Sequence, residues 1–351
     1  MTDRSTLPSQ RLLFITGKGG VGKTTVMATY ALALASQGKR VLCAMCQAKD
    51  RLSTLFGLDT SIGSDIVRIH PGIDAVNMDP EAALREYGLM VLRVRALHRA
   101  VFYNPLVMSF FRATPGLYSW GMLGKAWFHS TQKRRGSKRY RYDTVLVDAP
   151  STGHALEMLR GPKVIVDVAP AGLLRREAAK AWNMFSDPAQ FGVVLVTLAQ
   201  EMPVTETLEL VAALKTELKL PIAQLIVNGV IPPLFSPHER ELLVHSYTSR
   251  APARDNPNNV SPSSPTTHTS PSETSRSPAL WTPAVRRAER ELVQMQALDR
   301  LRQGTDLSTL HLPYHFRGIE TLEALEAHAA WLKARTTIRP MADKEWQGSS
   351  Y

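Results

Sequence analysis

The chain has 351 residues, with 42 Lys and Arg against 31 Asp and Glu, and hence a formal net charge of +11. Its 44% apolar and 21% charged residues exclude a disordered chain, and two cysteines exclude a disulfide scaffold and point to a reducing compartment. The excess charge is local: twelve basic residues and one acid, Glu86, fall between Arg85 and Arg141, and the rest of the chain sums to zero.

Met1 to Gln10 carries no basic n-region, and the apolar run Leu12 to Ile15 is too short for a signal peptide. No run reaches the ~18 apolar residues of a membrane span, so a cytoplasmic location is expected, with peripheral contact to a membrane left open. Leu12 to Thr16 reads as a short buried strand, Gly17 to Gly22 as a glycine-rich turn, and Thr24 to Ser36 as a helix ended by Gly38. Arg40 to Met45 predicts the next strand, and a strand–helix–strand unit of this length is a parallel crossover. Further strands are expected at Ile73 to Val76, Thr144 to Val147, Val164 to Val168, Val193 to Thr197, Gln224 to Val227 and Leu310 to Pro313. Helical patterns cover Leu173 to Phe185, Thr205 to Leu218 and Ile319 to Leu332. The expected fold class is α/β: a doubly wound, mostly parallel sheet with a helical insertion.

Within it, residues 11–335 read as one domain with a basic helical insertion at 81–141. Residues 251–283 hold 7 Pro, 7 Ser and 5 Thr, the composition of a disordered linker. Residues 336–351 read as a flexible tail. There is no internal repeat, so one nucleotide unit per chain is expected.

Gly17-Lys18-Gly19-Gly20-Val21-Gly22-Lys23-Thr24 satisfies the P-loop pattern and sits between a predicted strand and a predicted helix. Glycines let successive backbone N–H groups curl around phosphate oxygens, and the helix start adds its positive dipole end. Lys23 then reaches the β- and γ-phosphates, and the Thr24 hydroxyl ligates Mg²⁺. Val145-Leu146-Val147-Asp148 supplies an apolar strand ending in a carboxylate that holds Mg²⁺ through water. ATP and Mg²⁺ are the expected ligands.

These residues resemble a known family. The second lysine, Lys18, marks deviant Walker A ATPases, which include ArsA, the tail-anchored-protein targeting ATPases, MinD and ParA. Asp148-Ala149-Pro150-Ser151-Thr152-Gly153-His154 is similar to switch II of the ArsA branch, and Glu201 to Thr207 resembles a further stretch of that branch near the nucleotide. Asn228 stands where the family places an adenine-contacting Asn, and Leu312 to Gly318, with Pro313, His315 and Phe316, resembles its adenine loop. The resemblance implies a P-loop NTPase fold of the SIMIBI class, nucleotide contacts along Gly17 to Thr25, a relay candidate in His154, and a nucleotide-gated dimer. In that dimer the lysine corresponding to Lys18 reaches the partner's phosphates, a cation supplied in trans. One nucleotide unit per chain then requires a second subunit, a homodimer or a heterodimer with an ArsA-like paralogue.

Two carboxylates of the family pattern are absent. Where its switch I reads Asp-Pro-Ala-His-Ser, aligned through Leu52-Ser53 and Phe56-Gly57, this chain reads Gln47-Ala48-Lys49-Asp50-Arg51. Gln47 in the Asp position can orient water but cannot take its proton, so slow or partner-assisted hydrolysis is expected, unless Asp50 substitutes. Gln200 replaces a nucleotide-contacting Glu. Cys43 and Cys46 lie at odd spacing on a strand and so point to opposite faces, as buried structural residues rather than zinc ligands.

The insertion carries Leu89, Met90, Leu92, Val94, Leu97, Val101 and Phe102, then Met108, Phe110, Phe111, Leu117, Trp120, Met122, Leu123, Trp127 and Phe128. Two readings fit it: a groove for a hydrophobic protein client with a basic rim, or the packed core of a helical layer. Lys133 to Arg141 is a separate basic run, either a contact for an anionic membrane surface or a solvated loop. Nucleic acid is disfavoured, because stacking aromatics and a DNA-reading motif are missing. The function expected is an ATPase coupling nucleotide state to its helical region. Its rivals are a hydrolysis-impaired regulatory subunit and a ParA/MinD-type positioning ATPase.

Overall fold

The computed structural model describes residues 7–8, 10–92, 105, 109, 117–168, 171–248 and 278–337. The expectations placed on Arg93, Arg95, Arg99, on most apolar residues from Val94 to Phe111, and on residues 251–277 and 338–351 lie outside them.

Among the described residues, eight strands form one sheet: β1 (Leu12–Thr16), β2 (Val41–Cys46), β3 (Val67–His70), β4 (Ile73–Met78), β5 (Thr144–Asp148), β6 (Phe191–Leu198), β7 (Ile222–Val230) and β8 (Thr309–Pro313). Their order is β3-β4-β2-β5-β1-β6-β7-β8, parallel throughout except for the β3–β4 pair. The helices are α1 (Lys23–Ala35), α2 (Leu52–Leu55), α3 (Pro80–Leu92), α4 (Leu117–Thr131), α5 (Thr152–Val168), α6 (Leu173–Phe185), α7 (Glu201–Ala212), α8 (Pro237–Thr248), α9 (Pro278–Gly304) and α10 (Leu322–Thr337).

Strand alternation divides the core into two layers. Leu12 and Phe14 of β1 face the layer of α3 to α7, while Leu13 and Ile15 face α1, α2 and α10. Every residue of β1 is buried, which is why it reads as a continuous apolar run rather than an alternating one. Burying each such large side chain contributes roughly 2 kcal/mol. Cys46 lies in the first layer and Cys43 in the second; burial pushes both thiols well above their usual range.

The described part of the insertion packs as core. A Cβ on Gly121 would stand 2.6 Å from the Leu84 Cα, so α3 and α4 are in close contact. Tyr87 meets Trp120 edge-on at 5.0 Å, and Trp120, Met122 and Leu123 are buried. These three residues therefore do not line a groove: all belong to the first core layer, and Trp120 fills the seam between Tyr87 of α3 and Gly161 of α5.

Four further features depart from expectation. Residues Val164 to Val168, expected as a strand, end helix α5; Ile165 faces the core while Val164 and Val168 are exposed, the one-sided burial of a helix. The edge strand β3 carries no strong signal, since Val67 and Arg68 are exposed. Helix α9 begins at Pro278, inside the stretch expected to be linker through residue 283. Helix α10 runs to Thr337, past the expected start of the tail. No helix among the described residues is long and apolar enough to cross a membrane.

Candidate functional site

Strand order brings the ends of β5, β1 and β2 together, with β6 and β7 on the far side of β1. The loop from Gly17 to Gly22 crosses this edge between β1 and α1. Its first glycine is dictated by a close approach: a Cβ there would stand 2.0 Å from the Val196 carbonyl oxygen, at φ +154°. Gly22 has φ +90° and faces Asn228, whose amide nitrogen would lie 2.4 Å from a Cβ at that position. The same amide donates to the Val21 carbonyl at 2.9 Å. Asn228, expected to face adenine, thus braces the loop with its amide nitrogen.

Lys23 folds back over the loop, donating to the carbonyls of Gly17 at 3.1 Å and Lys18 at 3.3 Å. Burial lowers its pKa and the nearby Asp148 partly offsets this. The Thr24 hydroxyl donates to Asp148 Oδ2 at 2.6 Å. Asp148 ends β5 in register with Ile15 of β1 and Met45 of β2 and is buried. Burial raises its carboxyl above the usual range, and neither Thr24 nor Lys23 cancels that effect. A desolvated carboxylate beside a hydroxyl is the oxygen donor set a cation such as Mg²⁺ takes, its remaining positions going to water and substrate.

An open cleft of about 760 Å³ holds these groups. It is lined by Lys23, Thr24 and Asp148, by the loop from Gln47 to Arg51, and by Ile319 and Glu320 from the loop after β8. Gln47 lies in the left-handed region at φ +48°, its N–H donating to Met78 O at 2.9 Å. Asp50 is not free to replace the missing carboxylate. It accepts from the Ser53 N–H at 3.1 Å, the Ser53 hydroxyl, and the Ile62 N–H at 2.7 Å. These bonds spend the carboxylate on holding the chain around α2.

Lys18 points away from this cleft and pairs with Glu206 of α7, which also accepts the Thr152 hydroxyl at 3.1 Å. Thr152 and Gly153 open α5, tied to β1 by the Thr16 hydroxyl donating to Pro150 O at 3.0 Å. His154, the relay candidate, is 78% exposed and faces Glu157 at 3.4 Å, outside the cleft lining. Pro313 ends β8 opposite Val230. Beyond it Phe316 is exposed against Tyr314, and His315 is bonded to His328 of α10 at 2.7 Å. The remaining loop residues Gly19, Gly20, Val21 and Thr25 lie along the same turn into α1, with Val21 and Thr25 buried.

Sequence reasoning assigned no role to Glu206, Lys49, Arg51, Glu320 or His328. Glu206 lies inside the quoted stretch Glu201 to Thr207, so its position was legible though its partner was not.

Residues 10–171 match the family of anion-transporting ATPases. The chain is 31% identical over 239 residues to ATPase BagA of Mycobacterium tuberculosis, covering 67% of this chain and 69% of that protein. It is 30% identical to the arsenical pump-driving ATPase of Escherichia coli, over 63% of this chain but 39% of that one. To the ATPase GET3 of Kluyveromyces lactis it is 29% identical, over 46% of this chain and 47% of the other.

Proposed function

This chain belongs to the anion-transporting, ArsA-like ATPase family, and from that premise we propose that it binds Mg-ATP in the cleft above β1 and β5 and hydrolyses it slowly. The reading rests on one observation above the others: the Thr24 hydroxyl and the buried Asp148 carboxylate meet beneath Lys23 at the lip of the P-loop. Gly17 to Thr25 cradle the phosphates through backbone N–H groups, and Lys23 exchanges its two loop carbonyls for phosphate oxygens. Thr24 and Asp148 would hold Mg²⁺, which when bound neutralises charge on the phosphates. Gln47 orients the attacking water without taking its proton. Asn228 supports the loop, while Pro313, His315 and Phe316 border the base end. Thr152, Gly153 and His154 form the segment that moves with nucleotide state.

The working unit is a dimer in which Lys18 leaves Glu206 and reaches the partner's phosphates. The partner is a second copy or an ArsA-like paralogue supplying the missing switch I carboxylate. Residues 11–335 form one nucleotide-binding unit per chain. Its output passes through α5 to the helical layer of α3 and α4, the region that meets a client or membrane.

Single-turnover ATP hydrolysis tests this. The wild type turns over slowly and Gln47→Asp raises the rate about tenfold or more with little change in nucleotide affinity. Fast turnover by the wild type, with no gain from Gln47→Asp, overturns the account of switch I. Two other readings have an observation each. The glutamine itself favours a regulatory subunit with little hydrolysis. The basic hairpin from Lys133 to Arg141 favours a positioning ATPase on an anionic membrane surface.

A further inference from the structure

The loop that carries Gln47 has gained charge as well as lost it. Three of its five residues are held by hydrogen bonds, Gln47 and Ala48 through the backbone and Asp50 through its carboxylate. Gln47 is bonded to Met78. Ala48 is held on both sides by Asn77, which accepts its N–H at 3.2 Å and donates to its carbonyl at 2.8 Å. Asp50 is held by Ser53 and Ile62. Lys49 lies between these anchors and Arg51 follows them, its carbonyl accepting the Leu55 N–H at 3.0 Å. Both are exposed, neither enters an ion pair among the described residues, and both line the cleft that holds Lys23, Thr24 and Asp148.

The loop therefore presents two exposed cations to the cleft from a segment whose neighbours are held in place. Among the described residues no acid of the cleft pairs with either: the Asp50 carboxylate between them accepts from the Ser53 and Ile62 N–H groups, Asp148 accepts from Thr24, and Glu320 lines the cleft from the loop after β8. Strand order gives their position along a bound nucleotide. Asn228 and Pro313, on β7 and β8, lie on one side of β1, whereas β5 and then β2 lie on the other. The loop after β2 therefore lies on the Asp148 side of β1, across the P-loop from Asn228 and Pro313.

We infer that Lys49 and Arg51 bind the terminal phosphate of the nucleotide in cis and make the site discriminate a nucleoside triphosphate from a diphosphate. This rests on the nucleotide reading above. The two cations stand at the Ala and Ser positions of the family's switch I pattern, so they add positive charge to a loop that has lost the carboxylate at position 47. A site built this way holds its triphosphate tightly and releases the product once the terminal phosphate has gone. Arg51 offers a planar fork of donors and Lys49 a mobile point charge, a pair suited to three phosphoryl oxygens.

Isothermal titration of the full chain with Mg-ATP and with Mg-ADP tests it, comparing wild type with Lys49→Gln, Arg51→Gln and the double variant. Each single change weakens ATP by about tenfold and ADP by under about threefold. Arg51→Lys keeps most of the ATP affinity, and Lys138→Gln, in the basic hairpin, controls for net charge and changes neither. Equal losses for ATP and ADP, or no loss of ATP affinity in the double variant, overturn the inference while leaving nucleotide binding standing. A wild type that binds neither nucleotide overturns both. Circular dichroism of the variants confirms that the fold is retained.

Discussion

Glu206 holds the ammonium of Lys18 within its own chain, and with its other carboxylate oxygen it accepts the Thr152 hydroxyl at 3.1 Å. One acid thus joins the P-loop to the start of α5. The Lys18 pairing holds the Glu206 carboxyl below the usual range, with Thr152 adding to the effect and partial burial opposing it. Both side chains are partly exposed, 32% and 26%, and such pairs are worth about 1 kcal/mol or less. A nucleotide phosphate can therefore draw Lys18 away at small cost. Glu206→Gln is expected to raise the ATP-dependent dimer population by about fivefold in light scattering, since the competing acceptor is weakened. Lys18→Ala is expected to abolish that dimer. A lower dimer population in Glu206→Gln would mean that Glu206 belongs to the interface rather than to a resting state.

Gly22 and Asn228 form the second pair open to test. A methyl group at Gly22 would meet the Asn228 amide at 2.4 Å, and the backbone there is left-handed. Gly22→Ala is expected to cost nucleotide affinity at least tenfold, combining backbone strain with a displaced brace. Asn228→Ala removes the bond to Val21 O and is expected to cost about 1 kcal/mol of stability. In the double variant the clash is gone but the strain persists, so the losses should add to less than their sum. Strict additivity in thermal melts and titrations would show that the two residues do not press on each other.

These contacts mark where sequence stops being informative. The β1–loop–α1 unit is legible because a buried apolar run, a glycine turn and a helix follow one another locally. Asp148 is legible because an apolar strand ends on it. Lys18 and Glu206 are 188 residues apart, and only the packing of α7 beside the loop brings them together. The strand expected at Val164 to Val168 failed for a different reason: a short β-branched run fits a helix edge as readily as a buried strand, and its neighbours on α5 decided it. Helix α9 was hidden because Pro278 and Pro283 near its start continue the proline-rich composition of the preceding residues.

Acid should weaken the fold through its buried histidines. His328 is 1% exposed, shares a hydrogen bond with His315, and leaves its Nε2 without a partner. Burial first, and the His315 ring second, draw its pKa down to about 4. Burial draws His129 to about 4 as well. An unfolded histidine titrates near 6.5, so between these values the unfolded chain binds more protons and stability is lost as the pH is lowered. The contribution is complete above about 6.5, and each histidine costs about 2 kcal/mol at pH 5. Urea melts at pH 7.5 and pH 5 should show this loss, with a shallower pH dependence in His328→Gln. An unchanged slope in that variant would place the acid sensitivity elsewhere.

The net charge of the chain converges on a hairpin at the opposite end of β5 from the cleft. Lys133 bridges to Tyr140, the Arg134 N–H donates to Arg139 O at 2.9 Å, and Gly136 turns the chain at φ +71°. Arg11 lies 3.5 Å over the Tyr140 ring and donates to the Ser130 carbonyl, fixing the hairpin to the start of β1. Lys133, Arg134, Arg135, Lys138, Arg139 and Arg141 are all exposed, and none is in an ion pair among the described residues. A braced array of this kind pays little entropy on meeting a charged plane, and each cation near an anionic bilayer is worth about 1 kcal/mol. In flotation with vesicles containing phosphatidylserine, the bound fraction should fall about tenfold or more in Arg134→Gln/Arg135→Gln. It should also fall as salt shortens the screening length, and be near zero on phosphatidylcholine alone. Equal binding by the wild type and this variant would leave the hairpin as solvated surface, and binding to neutral vesicles would point to an apolar contact instead.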